Sequence, residues 1–320
     1  MIRVAAIDCG TNSLRLLLAD VDPDDGRLVD LERRLEIVRL GEGVDRTGRI
    51  DPEAIRRTLR VTGDYARICD RAGVQRVRFV ATSATRDAEN RDEFTDGVRG
   101  LLGVQPEVIS GQEEAALSFA GATRELAGSH PAPYLVVDIG GGSTELVLGG
   151  TDVLAARSVD VGCVRLTERH LQDDPPTEGQ VAAASADVRS ALDDAAAAVP
   201  MAEARTLVGL AGSVTTVTAH ALRLDRYDAE AIHLAALPVE VARAACADLL
   251  GMTRAQRARL PYMHPGRVDV IGAGALVWGM VIERVAALTF ATGSPLHQVI
   301  SSEHDILDGI AWTLAASAAR

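Results

Sequence analysis

Two stretches of the chain carry the same order of apolar and polar positions. Residues 4–18 run apolar, then read Asp8-x-Gly10-x-x-Ser13-x-x-Leu16-x-Leu18; residues 135–148 repeat this as Asp138-x-Gly140-x-x-Ser143-x-x-Leu146-x-Leu148. An apolar run, a glycine-containing turn and a second alternating run predict a β-hairpin in each case, not a strand followed by a helix. The copies lie too far apart for stacked repeats and predict two similar domains. A third glycine-rich turn, at 206–213, follows another apolar run.

Between these landmarks the spacing turns helical. Asp51-Pro52 is an N-cap followed by an N1 proline and opens a helix over 52–73. Residues 77–80 read as a short strand leading to the polar cluster Thr82, Ser83 and Arg86. A helix over 111–127 carries Glu113 and Glu114 in its first turn, and 128–133 has the composition of a linker. Helical patterns dominate from 177 onward, and the last, 303–316, is placed to cross back onto the first domain.

Composition narrows the chemistry. The 47% hydrophobic content describes a globular chain. The N-terminus lacks a secretion signal, and the apolar runs 14–19 and 277–282 are broken too soon to span a bilayer. Four cysteines without paired spacing, and no His-x-x-x-His pair, fit a reducing cytoplasm rather than a zinc or disulfide frame. The formal charge of −12 argues against coating nucleic acid, so a polyanion would have to meet a local arginine cluster. Every one of the 33 basic side chains is Arg. Without lysine there is no Walker-loop, protein-kinase or Schiff-base chemistry of the usual kind.

The twin turns are the best candidate site. Backbone N–H groups of a glycine-rich turn approach phosphate closely, and a serine hydroxyl adds a donor. The neighbouring Asp would repel phosphate unless a divalent cation sits between, so paired turns suggest a metal–phosphate clamp between two domains. Glu114 could take a proton from water, although acidic residues in a first helical turn are also ordinary dipole complements. Glu145 alternates either toward the site or into solvent. Thr82, Ser83 and Arg86 suit a phosphate oxygen, and Arg267, in the 265–274 segment, is a similar case. Two decoys fail. Cys9 and Arg15 have the Cys-x5-Arg phosphatase spacing, but Asp8 beside the thiol works against a thiolate. Residues 20–31 begin like an EF-hand loop yet have Asp25 and Leu31 where Gly and Glu belong.

The blocks 6–15, 80–90, 109–115, 137–145, 209–216, 267–271 and 305–310 together resemble the exopolyphosphatases and guanosine pentaphosphate phosphohydrolases, within the actin, Hsp70 and sugar-kinase fold group. The likeness covers nearly the whole chain in order; Ser-Gly-x-Glu-Glu-Ala and Asp-Ile-Gly-Gly-Gly-Ser-Thr-Glu are its most specific parts. It implies an α/β protein of two ribonuclease-H-like (actin-like ATPase) domains with an interdomain cleft, residues 1–125 plus 302–320 forming the first and 126–301 the second. It implies Mg²⁺, with Mn²⁺ as the alternative, and a homodimer in the cytoplasm, away from membrane and nucleic acid. Glu114 falls on the base for water attack. Asp138 and Glu145 fall on the essential acidic positions, and with Asp8 they are the expected metal ligands. Asn12, Ser13, Gly141, Gly142 and Ser143 fall on phosphate loops, with Thr82, Ser83, Arg86 and Arg267 as further phosphate contacts. Longer members add C-terminal helical domains beyond the two-domain core at which this sequence stops. The expected reaction is stepwise hydrolysis of the terminal phosphoanhydride of inorganic polyphosphate. The rivals are removal of the 5′-phosphate of guanosine pentaphosphate (pppGpp), a kinase of the same fold group, and a non-catalytic polyphosphate or alarmone sensor.

Overall fold

A computed structural model describes residues 1–316 of the chain. The chain divides into two units, one formed by residues 1–121 with the segment from Ile306 onward, the other by 122–305. The first passage between them falls at the end of the helix Gly111–Thr123. The glycine- and proline-rich stretch 128–133 is inside the second unit, where the Pro131 and Pro133 carbonyls accept from Thr206 Oγ1 and the Arg205 amide.

The first unit holds the sheet β3-β2-β1-β4-β5, from β1 Ile2–Cys9, β2 Ser13–Val21, β3 Leu28–Ile37, β4 Arg76–Ala81 and β5 Glu107–Val108. The hairpin predicted at 4–18 is β1–β2, antiparallel, while β4 and β5 add parallel strands on the other side of β1. The second unit repeats the arrangement in β6 Tyr134–Ile139, β7 Thr144–Gly149, β8 Val153–Val159, β9 Thr206–Leu210 and β11 Gln298–Ser301. Its sheet runs β10-β11-β9-β6-β7-β8, so the order of the first sheet recurs with one added edge strand, β10 Ala236–Pro238. The sequence repeat is therefore a repeat of topology. Strands β6 and β7 are buried at every position, as expected of central strands covered on both faces.

Each face of the first sheet has its own core. Ile7, Leu14, Leu16, Phe79 and Phe94 pack on one side with the helix Pro52–Ala72, which Asp51 caps by accepting from the Glu53 amide. Val4, Ala6, Leu17 and Val80 pack on the other against Ile306, Leu307, Ile310 and Leu314 of the helix Ile306–Ala316. That helix is also held by an ion pair of Asp308, 1% exposed, with Arg33 on β3. In the second unit the helix Ile271–Ala291 runs through the core, with Trp278 fully buried. It contains the apolar run 277–282 that the sequence pattern treats as short, because Glu283 and Arg284 end that run without ending the helix. By length and composition it could cross a bilayer; most of it is buried inside this unit.

Replacing Arg33 with Met should remove the charged partner of the buried Asp308 carboxylate. The expected loss is about 2 kcal/mol, measured by urea unfolding; an unchanged midpoint would mean that the pair contributes nothing to docking the last helix.

Candidate active site

In the first unit the parallel strands β1, β4 and β5 end side by side, and their C-terminal ends gather the candidate residues, where ligands bind in open α/β sheets. Asp8 stands at the end of β1 opposite Arg15, whose Nη2 and Nε donate to Asp8 Oδ2 at 2.7 and 3.0 Å. The turn closes through Gly10 N–H to the Ser13 carbonyl at 3.0 Å. Thr11 and Asn12 are anchored by backbone: the Thr11 carbonyl accepts from Gly41, the Asn12 carbonyl from Val38 and Arg39. β4 continues into Thr82, whose amide donates to the Cys9 carbonyl, and into the short helix Ser83–Asp87. Ser83 Oγ lies 2.8 Å from Thr11 Oγ1, so the two polar loops are joined. Cys9 beneath them is fully buried, and burial followed by Asp8 pushes its thiol well above the ordinary range. A nucleophilic thiolate has no place here.

The Glu113-Glu114 pair separates by position on the helix Gly111–Thr123. Glu113 points outward and pairs with Arg78 at 2.7 Å. Glu114 is buried, and Arg86 Nη1 reaches it at 3.2 Å while also donating to the Ile109 carbonyl at 2.9 Å. The structure thus joins Arg86 and Glu114, 28 positions apart.

The second unit builds a parallel arrangement at the ends of β6 and β9. Asp138 faces Glu145 across the β6–β7 pair, and both are buried. Ser158, opposite Glu145 on β8, donates to its Oε1 at 2.7 Å. A solvated Glu145 is thereby excluded. The Gly140 and Gly141 carbonyls accept the amides of Cys163, Val164 and Arg165 at the start of the helix Cys163–Arg169, and Arg165 Nε donates to the Gly142 carbonyl at 2.7 Å. With its carbonyls taken on that side, the turn keeps amides to present to an anion. Close packing demands Gly162: a Cβ there would lie 2.5 Å from the Gly141 carbonyl.

β9 passes directly into the helix Ala211–Ala221, with Ala211 at φ 64°. The Thr- and Ala-rich stretch after the third glycine turn is this helix. The Arg267 guanidinium lies on Gly212, where a Cβ would meet its Cζ at 2.1 Å. Tyr227 donates to Thr215 Oγ1 at 2.9 Å and also bonds Glu303; burial and then Glu303 raise its phenol far above its ordinary value.

Within each unit, then, the predicted residues come together: Asp8, Asn12, Ser13, Thr82, Ser83, Arg86 and Glu114 at one set of strand ends, Asp138, Gly141, Gly142, Ser143 and Glu145 at the other, with Arg267 against the neighbouring Gly212 turn. Sequence reasoning missed Arg15, Arg165, Ser158 and Tyr227. Only Arg15 left a signal: it occupies in the first repeat the position of Glu145 in the second.

Two carboxylates facing one another beside a phosphate-type turn offer hard oxygen donors of the kind Mg²⁺ takes. Asp138 and Glu145 fit that ion by residue type and adjacency. Asp8 offers the same oxygen chemistry with Arg15 already on one of its oxygens.

These features define a two-domain α/β protein of the actin-like ATPase fold with duplicated acidic, glycine-rich hairpins. Residues 21–293 match the Ppx/GppA phosphatase family, and the chain belongs to that family. It is 54% identical over 320 residues to exopolyphosphatase 2 of Mycobacterium tuberculosis, covering 98% of each chain. Among solved structures it resembles an exopolyphosphatase-like protein at 45% identity, with a TM-score of 0.95 and 99% and 100% of the two chains covered. The Ppx/GppA enzyme of Aquifex aeolicus follows at 30% identity and a TM-score of 0.78, with 98% and 99% covered.

The two close-packed glycines should separate stability from binding. Gly162→Ala meets backbone and should cost about 1–3 kcal/mol. Gly212→Ala meets the far end of a flexible arginine and should leave the melting temperature nearly unchanged. It should weaken pyrophosphate binding several-fold in calorimetry by displacing Arg267; unaltered affinity would remove Arg267 from the site.

Proposed function

We propose that the chain is an exopolyphosphatase that hydrolyses the terminal phosphoanhydride bond of inorganic polyphosphate and releases orthophosphate. The observation that carries the reading is the placement of Glu114: buried, directed inward while Glu113 faces solvent, and held by Arg86 next to the Thr82-Ser83 turn. Support comes from the name and near full-length identity of the mycobacterial relative.

In this reading Glu114 accepts a proton from water as the water oxygen attacks the terminal phosphorus. The bridging P–O bond breaks, and its electrons leave with the shortened chain as a phosphate oxygen. In the first unit the Ser13 hydroxyl and the Thr82-Ser83 turn are the donors for phosphate oxygens, and in the second unit the amides of the 140–143 turn and the Ser143 hydroxyl are. Arg86 has two tasks, orienting Glu114 and countering substrate charge; Arg267 holds the following phosphates. Asp138 and Glu145 would hold Mg²⁺, with Asp8 as a weaker donor. When bound, the ion neutralises phosphate oxygens and stabilises the charge developing in the transition state. Four free, buried cysteines suit a reducing cytoplasm, where polyphosphate and Mg²⁺ meet the enzyme. The homodimer belongs to the same reading and rests on the family resemblance.

Glu114→Gln should keep substrate binding and lose about 10²–10⁴-fold in kcat, whereas Glu113→Gln should stay within about twofold, since it loses only an exposed ion pair. Phosphate release is followed on polyphosphate and, in parallel, on guanosine pentaphosphate. Equal turnover by both variants would eliminate Glu114 as the base, and preferential hydrolysis of the nucleotide would move the substrate assignment. Asp138→Asn should raise the Mg²⁺ concentration needed for half-maximal rate at least tenfold, and an unchanged requirement would place the ion elsewhere.

A further inference from the structure

Outside the candidate active site, three side chains from distant parts of the chain meet within the second unit. Glu125, His233 and His304 bring one ligand atom each to within 4.8 Å of the others. His233 Nε2 lies 2.7 Å from Glu125 Oε2, and His304 Nδ1 lies 3.4 Å from Glu125 Oε1. The two imidazole rings sit 4.4 Å apart between centroids, tilted at 41°. Both histidines are partly buried and Glu125 is exposed, so the donors are fixed from below yet open to an entering ion.

We propose that this cluster binds a late first-row divalent cation such as Zn²⁺ or Co²⁺, with Glu125, His233 and His304 as ligands and water completing the coordination. Two imidazoles and one carboxylate form a donor set suited to such ions and poorly suited to Mg²⁺, which prefers oxygen. Metal–ligand bonds of about 2.0–2.2 Å need donors roughly 3–3.5 Å apart. Of the observed spacings, 3.4 Å lies within that range and 2.7 Å just below it, and rotation of the exposed Glu125 side chain supplies the adjustment. The protons balance. His233 Nδ1 accepts the Glu303 amide at 3.2 Å, so the neutral ring carries its proton on Nε2 and donates it to Glu125. On metal capture that proton moves through solvent to Nδ1, leaving the Nε2 lone pair for the ion and giving up the Glu303 bond. His304 coordinates through Nδ1, the nitrogen that faces Glu125, with its proton on Nε2 in the metal-bound form. The Glu303 amide bond and the His233–Glu125 hydrogen bond are given up against three metal bonds.

The location gives the site a consequence. Glu125 lies just after the first passage of the chain between its units, and His304 just before the second, which falls between Asp305 and Ile306. A bound ion would tie these two connecting segments together at their ends in the second unit. One of them follows the helix that carries Glu114, and the other leads into the helix Ile306–Ala316.

The test is titration of full-length protein, stripped with chelator and held in excess Mg²⁺, with Co²⁺. The expected result is one equivalent of visible d–d absorption with nitrogen-ligand character, displaced by Zn²⁺. His304→Ala and His233→Ala should each weaken binding at least tenfold while circular dichroism and melting without metal stay as in the parent. Glu125→Gln, which preserves shape and hydrogen bonding to the rings, should weaken it as well and guards against a folding defect in a histidine variant. Failure to bind overturns the proposal and leaves a hydrogen-bonded clasp. A signal untouched by all three variants but lost in Asp138→Asn overturns it too, because the ion would then occupy the other acidic pair.

Discussion

In each half of the molecule, the antiparallel register of one hairpin sets which side chains stand beside the phosphate-type turn. β6 and β7 pair so that Asp138 meets Glu145, and β1 and β2 so that Asp8 meets Arg15. A slip of one residue would send each of these groups to the opposite face of its sheet. Apolar neighbours on both faces oppose such a slip: Val137, Leu146 and Leu148 on one face with Val136 and Val147 on the other in one half, Ile7 and Leu16 with Leu17 in the other. The chemistry is thus held in place by packing around it.

The duplication is topological but not chemical. The same hairpin carries two carboxylates in the second unit and a neutralised Asp–Arg pair in the first. The acid–arginine pair has its charge largely compensated, whereas two adjacent carboxylates concentrate negative charge where a cation gains most. In the proposed reading, the second half is therefore the better cation holder, and the first half supplies the carboxylate that acts on water. That carboxylate is Glu114, paired with Arg86.

Arginine also reconciles an acidic protein with a polyanionic substrate class. With a net charge of −12, long-range steering works against such a ligand, and attraction has to be local. Arg86 and Arg267 are placed by their neighbours, one by the Ile109 carbonyl and Glu114, the other by the bare face of Gly212. In the proposed reading, a guanidinium already held like that of Arg86 loses little freedom on meeting phosphate.

Much of the protein was legible in its sequence, because the signals were local. Period-two patterning with glycine turns marked both hairpins, the Asp51-Pro52 start marked its helix, and the repeat announced two similar domains. The helix Ile271–Ala291 was legible only in part, since Glu283 and Arg284 break its apolar run without breaking the backbone. Side-chain direction was not local. The inward turn of Glu114 against the outward turn of Glu113, and the burial of Glu145 under Ser158, follow from strands and helices meeting across long sequence gaps. The histidines show this most clearly. Read along the chain they form no ligand pair, and only the folded second unit brings His233 and His304 to Glu125, since contact depends on distance in space and the sequence records only order.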